Sequence, residues 1–483
     1  MCKNSVKTEK GTGNIMKNKT KKIVSLLSAL VLLCTSMAGC GEKETATDGK
    51  VEITIGNVPE ETNEAEYEVF KSRVAEMNEK YPNVNVVERR YGYSLETFLP
   101  LASSGDLPML YDTFFTETKK IIDGNYAGDI TKQITERGFD KAISPSVMID
   151  LTRDGKYFGI PCNVYVMGLL CNAQLFEQAG LVDENGIPLF PTTWEDLAEK
   201  AKIIQEKTGV QGFFMPTMDG NGGWHFMNIA WAFGAKFEEC IDGKWTAVYN
   251  SPEMVNAFQY VHDLKWKYDV IGDNALVNVP TFRKQFAGGQ VAMGIYAPSN
   301  ERNNFAEIFK QNPLPLEAFS MCALPKGVDG TRKALMGGTL YMFSQTATQE
   351  ELDACFNWLE ICGFTPKMGE EKIAKLKEDF AADNQNNYVV GSTNAYVWSD
   401  KNYLNTIEEA RKDYINVDQR KFEQYPDLEN TTLMPEEPYC AQDLYRVIDA
   451  LLQKVLLEEN VDIQAMLDES VKEFQFNFLD KIN

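Results

Sequence analysis

Histidine is almost missing from this chain: 483 residues hold only His225 and His262. There is no His-Glu-x-x-His pair of zinc ligands, no Gly-x-Ser-x-Gly nucleophile elbow and no phosphate loop ending in Gly-Lys-Ser/Thr. Cys-x-x-Cys spacing is also absent, although seven cysteines follow Cys40. Of these, Cys355 and Cys362 share a helical face, yet at a rise of about 1.5 Å per residue they lie about 10 Å apart, too far to pair. The seven read as free thiols serving as small hydrophobes. Asp219-Gly220-Asn221-Gly222-Gly223 has the look of a calcium loop, but Ala230 stands where the closing glutamate belongs, so it reads as a glycine-rich turn. With no cofactor motif and no metal motif, binding is favoured over catalysis.

Long apolar runs are equally scarce. The one that stands out, residues 23–37 (IVSLLSALVLLCTSM), is shorter than the roughly 20 residues a membrane-spanning helix needs. A lysine-rich segment from Lys17 precedes it and Ala38-Gly39-Cys40 follows, the order of an export signal with a small-residue cleavage site. A cysteine directly after that pair is the pattern of a bacterial lipoprotein, with Cys40 lipidated and anchored in the membrane. Met16 is the expected start, residues 1–39 the signal and residues 40–50 (CGEKETATDGK) a flexible tether. Seven lysines and one glutamate fall in residues 1–39, so the remainder carries −28 where the whole chain carries −22. Such an acidic surface argues against nucleic acid and other polyanions as partners.

The remaining 444 residues, 44% hydrophobic over the whole chain, are enough for more than one core. Residues 51–55 alternate as a strand, 64–80 place Tyr67, Phe70, Val74 and Met77 on one helical face, and a second strand begins at Val84. Strand, helix and strand in forty residues is a βαβ unit with parallel pairing. Further helices are expected from Trp194 to about Lys207, with Thr193 and Asp196 at capping-box spacing, and over 254–266, 350–362 and 444–457. The stretch 365–437 is polar, aromatic-rich and weakly periodic.

An ordered series of short motifs resembles the extracellular solute-binding proteins of ABC importers, family 1. It includes Leu101-Ala102-Ser103-Ser104-Gly105-Asp106-Leu107-Pro108, Asp154-Gly155-Lys156-Tyr157-Phe158-Gly159-Ile160-Pro161, Pro191-Thr192-Thr193-Trp194-Glu195 and Phe286-Ala287-Gly288-Gly289-Gln290-Val291-Ala292-Met293. Two departures are Met109-Leu110, where Asp-Val is usual, and Cys171, where tyrosine is common. The resemblance implies an α/β fold of the type II periplasmic-binding-protein kind, with mixed sheets in two hinged lobes. It divides the chain into 51–168 plus about 318–365 for the first lobe and about 169–317 plus 366–483 for the second. It also implies a monomer facing the outside that captures a carbohydrate, in all expectation an oligosaccharide, and presents it to permease subunits. A glycan-active exported enzyme, or a binder of peptide, metal chelate or polyol phosphate, stands as the alternative.

A sugar offers C–H faces and a rim of hydroxyls, so its site needs flat rings edged by polar groups. Trp224, beyond the glycine-rich turn and expected on a loop, Tyr296, at the end of a strand the resemblance delivers to the cleft, and Trp398 are the candidate rings. His225 follows Trp224. Asn57 and Glu60 follow the first strand, at the carboxyl end where open α/β sheets bind ligands. Asn163 lies near the expected crossover, and Gly338 with Thr339 would let the backbone approach a ligand.

Overall fold

The computed structural model describes residues 49–61, 64–297, 314–386, 388–391 and 397–482. The signal, Cys40 and the tether as far as residue 48 lie outside the described residues. Among the described residues no helix is long and apolar enough to cross a membrane.

The first sheet begins where the alternating pattern placed it. Strand β1 (Val51–Ile55) runs parallel to β2 (Val84–Glu88), joined by the helix Glu64–Lys80, and parallel to β3 (Leu110–Phe114). The core below it holds Ile53, Ile55, Phe70, Met77 and Leu110, all buried, as their period-2 and period-3.6 spacings require. Past the short hairpin β4 (Thr152–Arg153) and β5 (Lys156–Tyr157) comes the long β6 (Gly159–Val166).

Only Met167 separates β6 from β7 (Gly168–Asn172), which belongs to a second sheet. That sheet has the order β12-β7-β11-β8, built from β8 (Gln211–Phe214), β11 (Val291–Tyr296) and β12 (Phe319–Ala323). A separate hairpin pairs β9 (Glu238–Ile241) with β10 (Lys244–Ala247). The second core is larger and takes in Leu197, Phe226, Phe258 and the C-terminal helices Ala441–Leu457 and Ile463–Asn477.

The chain returns to the first sheet with β13 (Arg332–Phe343), antiparallel to both β3 and β6, and β14 (Thr431–Met434) adds parallel to the start of β13. The return therefore comes at Arg332 rather than near 318. Residues 319–323 are buried throughout and pair along all of β7, an edge the second sheet would otherwise leave bare. β13 itself serves both cores, with Leu335 in the second and Leu340 and Met342 in the first.

Helix ends follow their capping chemistry. Thr193 accepts the N–H of Asp196 at 3.1 Å and Asp196 accepts that of Thr192 at 2.8 Å, so the reciprocal bond falls one residue before the cap. A complete capping box starts Gln349–Ile361, between Thr348 and Glu351. The weakly periodic stretch after 365 folds into the helices Glu370–Gln385 and Lys401–Arg411. All seven cysteines after Cys40 are free, with Cys171, Cys322 and Cys355 buried.

Candidate functional site

A cleft of about 200 Å³ opens between the two sheets at the carboxyl ends of β3 and β8. Phe114 and Tyr165 line it from the first sheet. Asp219, Gly220, Asn221, Trp224, Gln442 and Tyr445 line it from the loops and helices of the other side, and Glu436 from the segment between Thr431–Met434 and the helix Ala441–Leu457. Gln442 Nε2 reaches across to Thr116 Oγ1 at 3.4 Å.

The wall carrying Trp224 is set by its turn. Asp219 and Gly220 have φ of 61° and 76°, the left-handed region that lets the chain reverse out of β8 into the helix Asn221–Ala232. This helix has no side-chain cap of its own. Asp449, buried on Ala441–Leu457, supplies one from outside: its Oδ2 accepts the N–H of Gly220 at 2.6 Å and its Oδ1 that of Gly223 at 2.9 Å. A Cβ on Gly223 would overlap the backbone of Tyr445, so glycine is what lets the two helices approach. Asn221 Oδ1 accepts the N–H of Val279 at 3.1 Å, and Asp219 Oδ2 accepts the Asn278 amide at 2.9 Å. The turn is tied at four points.

Tyr165 meets the Trp224 ring edge-on at 5.6 Å between centroids. Tyr445 donates its hydroxyl to Glu436 at 2.6 Å. Burial, with the Glu117 carboxylate adding to it, pushes the Glu436 carboxyl up to about 7. Its neighbour Glu437 is raised to about 7 by burial as well. Tyr165 and Tyr445, deprived of water, stay protonated donors far into alkaline conditions.

Of the residues singled out from sequence, Trp224 alone lines this cleft, and it does so from the first turn of a helix rather than from a loop. His225, one position on, points the other way. It is 1% exposed, its Nδ1 donates to the Asn221 carbonyl at 2.6 Å, and burial lowers it to about 4, which leaves it neutral. Tyr296 ends β11 inside the core, 2% exposed against Phe282, because a strand buried on both faces turns no side chain outward. Trp398 packs with Phe139, Phe364 and Tyr403 in the first core. Asn163 and Thr339 satisfy each other across β6 and β13, with Asn163 Nδ2 donating to Thr339 Oγ1 at 2.7 Å and Thr339 N–H donating to Asn163 Oδ1 at 3.1 Å. Gly338 makes room there for the Asn163 carbonyl, a close approach of strands rather than of a ligand. Glu60 is exposed and sits 3.8 Å from Arg90. Asn57 follows β1, outside the lining, and its buried Oδ1 has no hydrogen-bond partner among the described residues.

Reading the sequence missed Phe114, Tyr165, Glu436, Gln442 and Tyr445. Phe114 was within reach of the carboxyl-end rule once β3 is recognised as a strand. Tyr445 and Gln442 belong to a strongly amphipathic helix whose periodicity announces core packing, and nothing local marks the turn that faces the cleft.

A model of the family described as bacterial extracellular solute-binding protein matches residues 61–360, and the chain belongs to that family. The arabinooligosaccharide-binding protein of Halalkalibacterium halodurans is 22% identical over 59% of this chain and 62% of its own length. The chain thus spans about 60% of the length of such sequence relatives. Among solved structures, maltose-bound MalE3 of T. maritima superposes with a TM-score of 0.63 at 18% identity, covering 88% of this chain and all of the other. The cyclic alpha-maltosyl-1,6-maltose binding protein of Arthrobacter globiformis gives 0.60 at 20% identity, covering 88% of this chain and 98% of the other. The fold is therefore the two-lobe, type II binding-protein fold with mixed sheets.

Proposed function

We propose that this chain is the substrate-binding subunit of an ABC importer, that it takes an extracellular carbohydrate between its two lobes, and that it presents the loaded form to membrane permease subunits without chemistry of its own. The two sheets with their separate cores are the lobes, and the single residue between β6 and β7 is one of the links about which they turn. The observation that carries the reading is the composition of the cleft. Phe114, Tyr165, Trp224 and Tyr445 supply rings, while Asp219, Asn221, Glu436 and Gln442 supply acceptors and donors at their edges. Rings cover sugar C–H faces and polar edges take hydroxyls, a division of labour that an apolar ligand would not need. Relatives and structural neighbours named for arabino-oligosaccharide, maltose and a cyclic maltosyl-maltose support an oligosaccharide.

Function is then conformational: a ligand touching both walls stabilises the closed form over the open one. The protein acts as a monomer held at the outer membrane face by lipid on Cys40. Thermal denaturation against a panel of mono- and oligosaccharides tests the binding reading. A ligand at a hundred times its Kd stabilises the native state by about 2.7 kcal/mol, which is readily seen as a rise in Tm. A flat response across the panel rejects a carbohydrate ligand. For the anchor, Cys40→Ser expressed in a bacterial host releases the protein from membranes, and a variant that stays membrane-bound rejects it.

A further inference from the structure

Among the described residues, three short chain links pass between the lobes: Met167, residues 324–331 and residues 435–440. The stretch 365–437, weakly periodic in sequence, adds a connection of a different kind. Its helices Glu370–Gln385 and Lys401–Arg411 lie side by side, and both start at the first lobe. There Lys372 Nζ donates to the carbonyls of Gly363 and Thr365 at 3.0 and 3.2 Å, and to the Tyr403 hydroxyl. Tyr403 packs on Trp398, whose other neighbours Phe139 and Phe364 belong to the first lobe. Both helices end at the second lobe. Asn384 Nδ2 donates to the Tyr414 carbonyl at 2.6 Å, and Asn416 Nδ2 to the Tyr388 carbonyl at 2.7 Å. Val389, Val417 and Phe422 pack there with Leu170, Phe319 and Met321 of the second sheet.

Residues 424–427 then grip two of the chain links. Tyr425, buried, donates its hydroxyl to the Val166 carbonyl at 2.5 Å, one residue before Met167. Its ring lies so close to Gly168 that a Cβ there would overlap it. The Ala323 N–H donates to the Gln424 carbonyl at 2.8 Å. Arg332 donates from Nη1 to Asp427 Oδ2 at 3.0 Å and from Nε to the Leu324 carbonyl at 3.1 Å. Both ends of the link 324–331 are held.

Two bodies joined by short links turn about them unless something stiff spans both. The helix Glu370–Gln385 has 16 residues, about 24 Å of rod, and its ends are fastened in different lobes. The lobes can rotate apart only by breaking one set of end contacts.

We infer that residues 365–427 brace the hinge, with Tyr425 as the positioning residue, so that the lobes part over a restricted angle. This rests on the closing-lobe reading of the protein and goes beyond it by naming what sets the range of the motion. A narrower open state costs less to close, so more of a ligand's contact energy appears as affinity.

Hydrogen exchange on the full-length protein without ligand tests it. The reporter is the Met167 N–H, which donates to the Leu335 carbonyl at 2.9 Å inside the hinge. Tyr425→Phe keeps the ring and removes the bond to Val166. Exchange at Met167 should quicken about tenfold, the usual effect of one lost buried hydrogen bond, while amides at the centres of both sheets keep the parental rate. Lys372→Met, at the first-lobe end of the brace, should quicken the same amide, and Lys372→Arg, which keeps donors, should restore it. A parental rate at Met167 in Tyr425→Phe overturns the grip on the hinge. A parental rate there in Lys372→Met overturns transmission along the helices. Faster exchange spread evenly over both sheets means lost stability rather than a freed hinge, and overturns the brace as well. No sugar enters the measurement, so these outcomes leave the carbohydrate reading standing, and a silent sugar panel leaves the brace standing.

Discussion

Asp449 Oδ1 accepts the backbone N–H of Gly223 at 2.9 Å, joining residues 226 positions apart in the chain. The same carboxylate holds Gly220 at 2.6 Å, so a side chain on the C-terminal helix Ala441–Leu457 fixes the turn that delivers Trp224 to the cleft. Asp449→Ala leaves buried N–H groups at the start of Asn221–Ala232 without an acceptor, at a cost of about 2–3 kcal/mol in stability. Ligand affinity should fall too, measured at a temperature where the variant is fully folded, because the turn loses its register. Asp449→Asn keeps an oxygen for one N–H and should recover part of both. An affinity equal to the parent in folded Asp449→Ala would show that the turn holds itself.

Trp224 and Tyr296 separate by location what they share by residue type. Trp224→Ala removes a ring from the cleft and weakens glycan binding by roughly 1–3 kcal/mol with a modest change in Tm. Tyr296→Ala empties a space in the core behind Phe282, lowering stability by about 3–5 kcal/mol. Its affinity, taken on the folded fraction, should match the parent. Titration calorimetry and denaturant unfolding on the pair decide this, and the assignment of Tyr296 to the core is lost if its main effect is on Kd.

Glu238 is buried, and neither carboxyl oxygen has a hydrogen-bond partner among the described residues. Burial, reinforced by Glu437, raises it to about 9. The folded state thus favours the protonated acid, and its contribution to stability is whole below the ordinary value near 4.5 and is lost as pH rises through about 9. Glu238→Gln imitates the protonated form. Its Tm should lie close to the parent near pH 4.5 and several degrees above it at pH 8.5. Parallel pH profiles would contradict the buried, unpaired placement.

His225 acts in the opposite sense. Its value falls to about 4 on burial, so the native state excludes the charged ring and gives up stability as pH drops from about 6.5 towards 4. The loss amounts to about 3 kcal/mol at the acid end. His225→Gln should flatten that acid limb, at the cost of some stability at neutral pH where the bond to the Asn221 carbonyl is weakened. Urea midpoints between pH 4 and 7 measure it, and an acid limb of unchanged steepness would reject the assignment.

How much of this was legible in the sequence depended on the distance over which a signal acts. The helix Glu64–Lys80 and the strands on either side could be read because their apolar spacing is local, and so could Gln349–Ile361, whose Leu352, Cys355, Phe356 and Leu359 recur at helical spacing. β12 was placed in the wrong sheet because five buried residues in a row carry no mark of which neighbour they pair with. At the cleft, Trp224 could be found from the glycines before it. Tyr445 could not, since it sits on the buried face of an amphipathic helix and borders the cleft only through a turn more than two hundred residues earlier. Asn163 and Thr339 failed as site residues for a similar reason: polar side chains on adjacent strands found each other first.

The order of strands bears on how the chain matures after export. β3 and β6 are laid down before residue 170, yet the strand that joins them, β13, follows residue 331, and β14 comes a further hundred residues on. A chain emerging from a translocation channel therefore carries the first sheet with open hydrogen-bonding edges until some 340 residues have passed. Those edges are where a chaperone would find its grip, and a chain cut short before Arg332 would reach the outside with β3 still unpaired on one side and ready to aggregate.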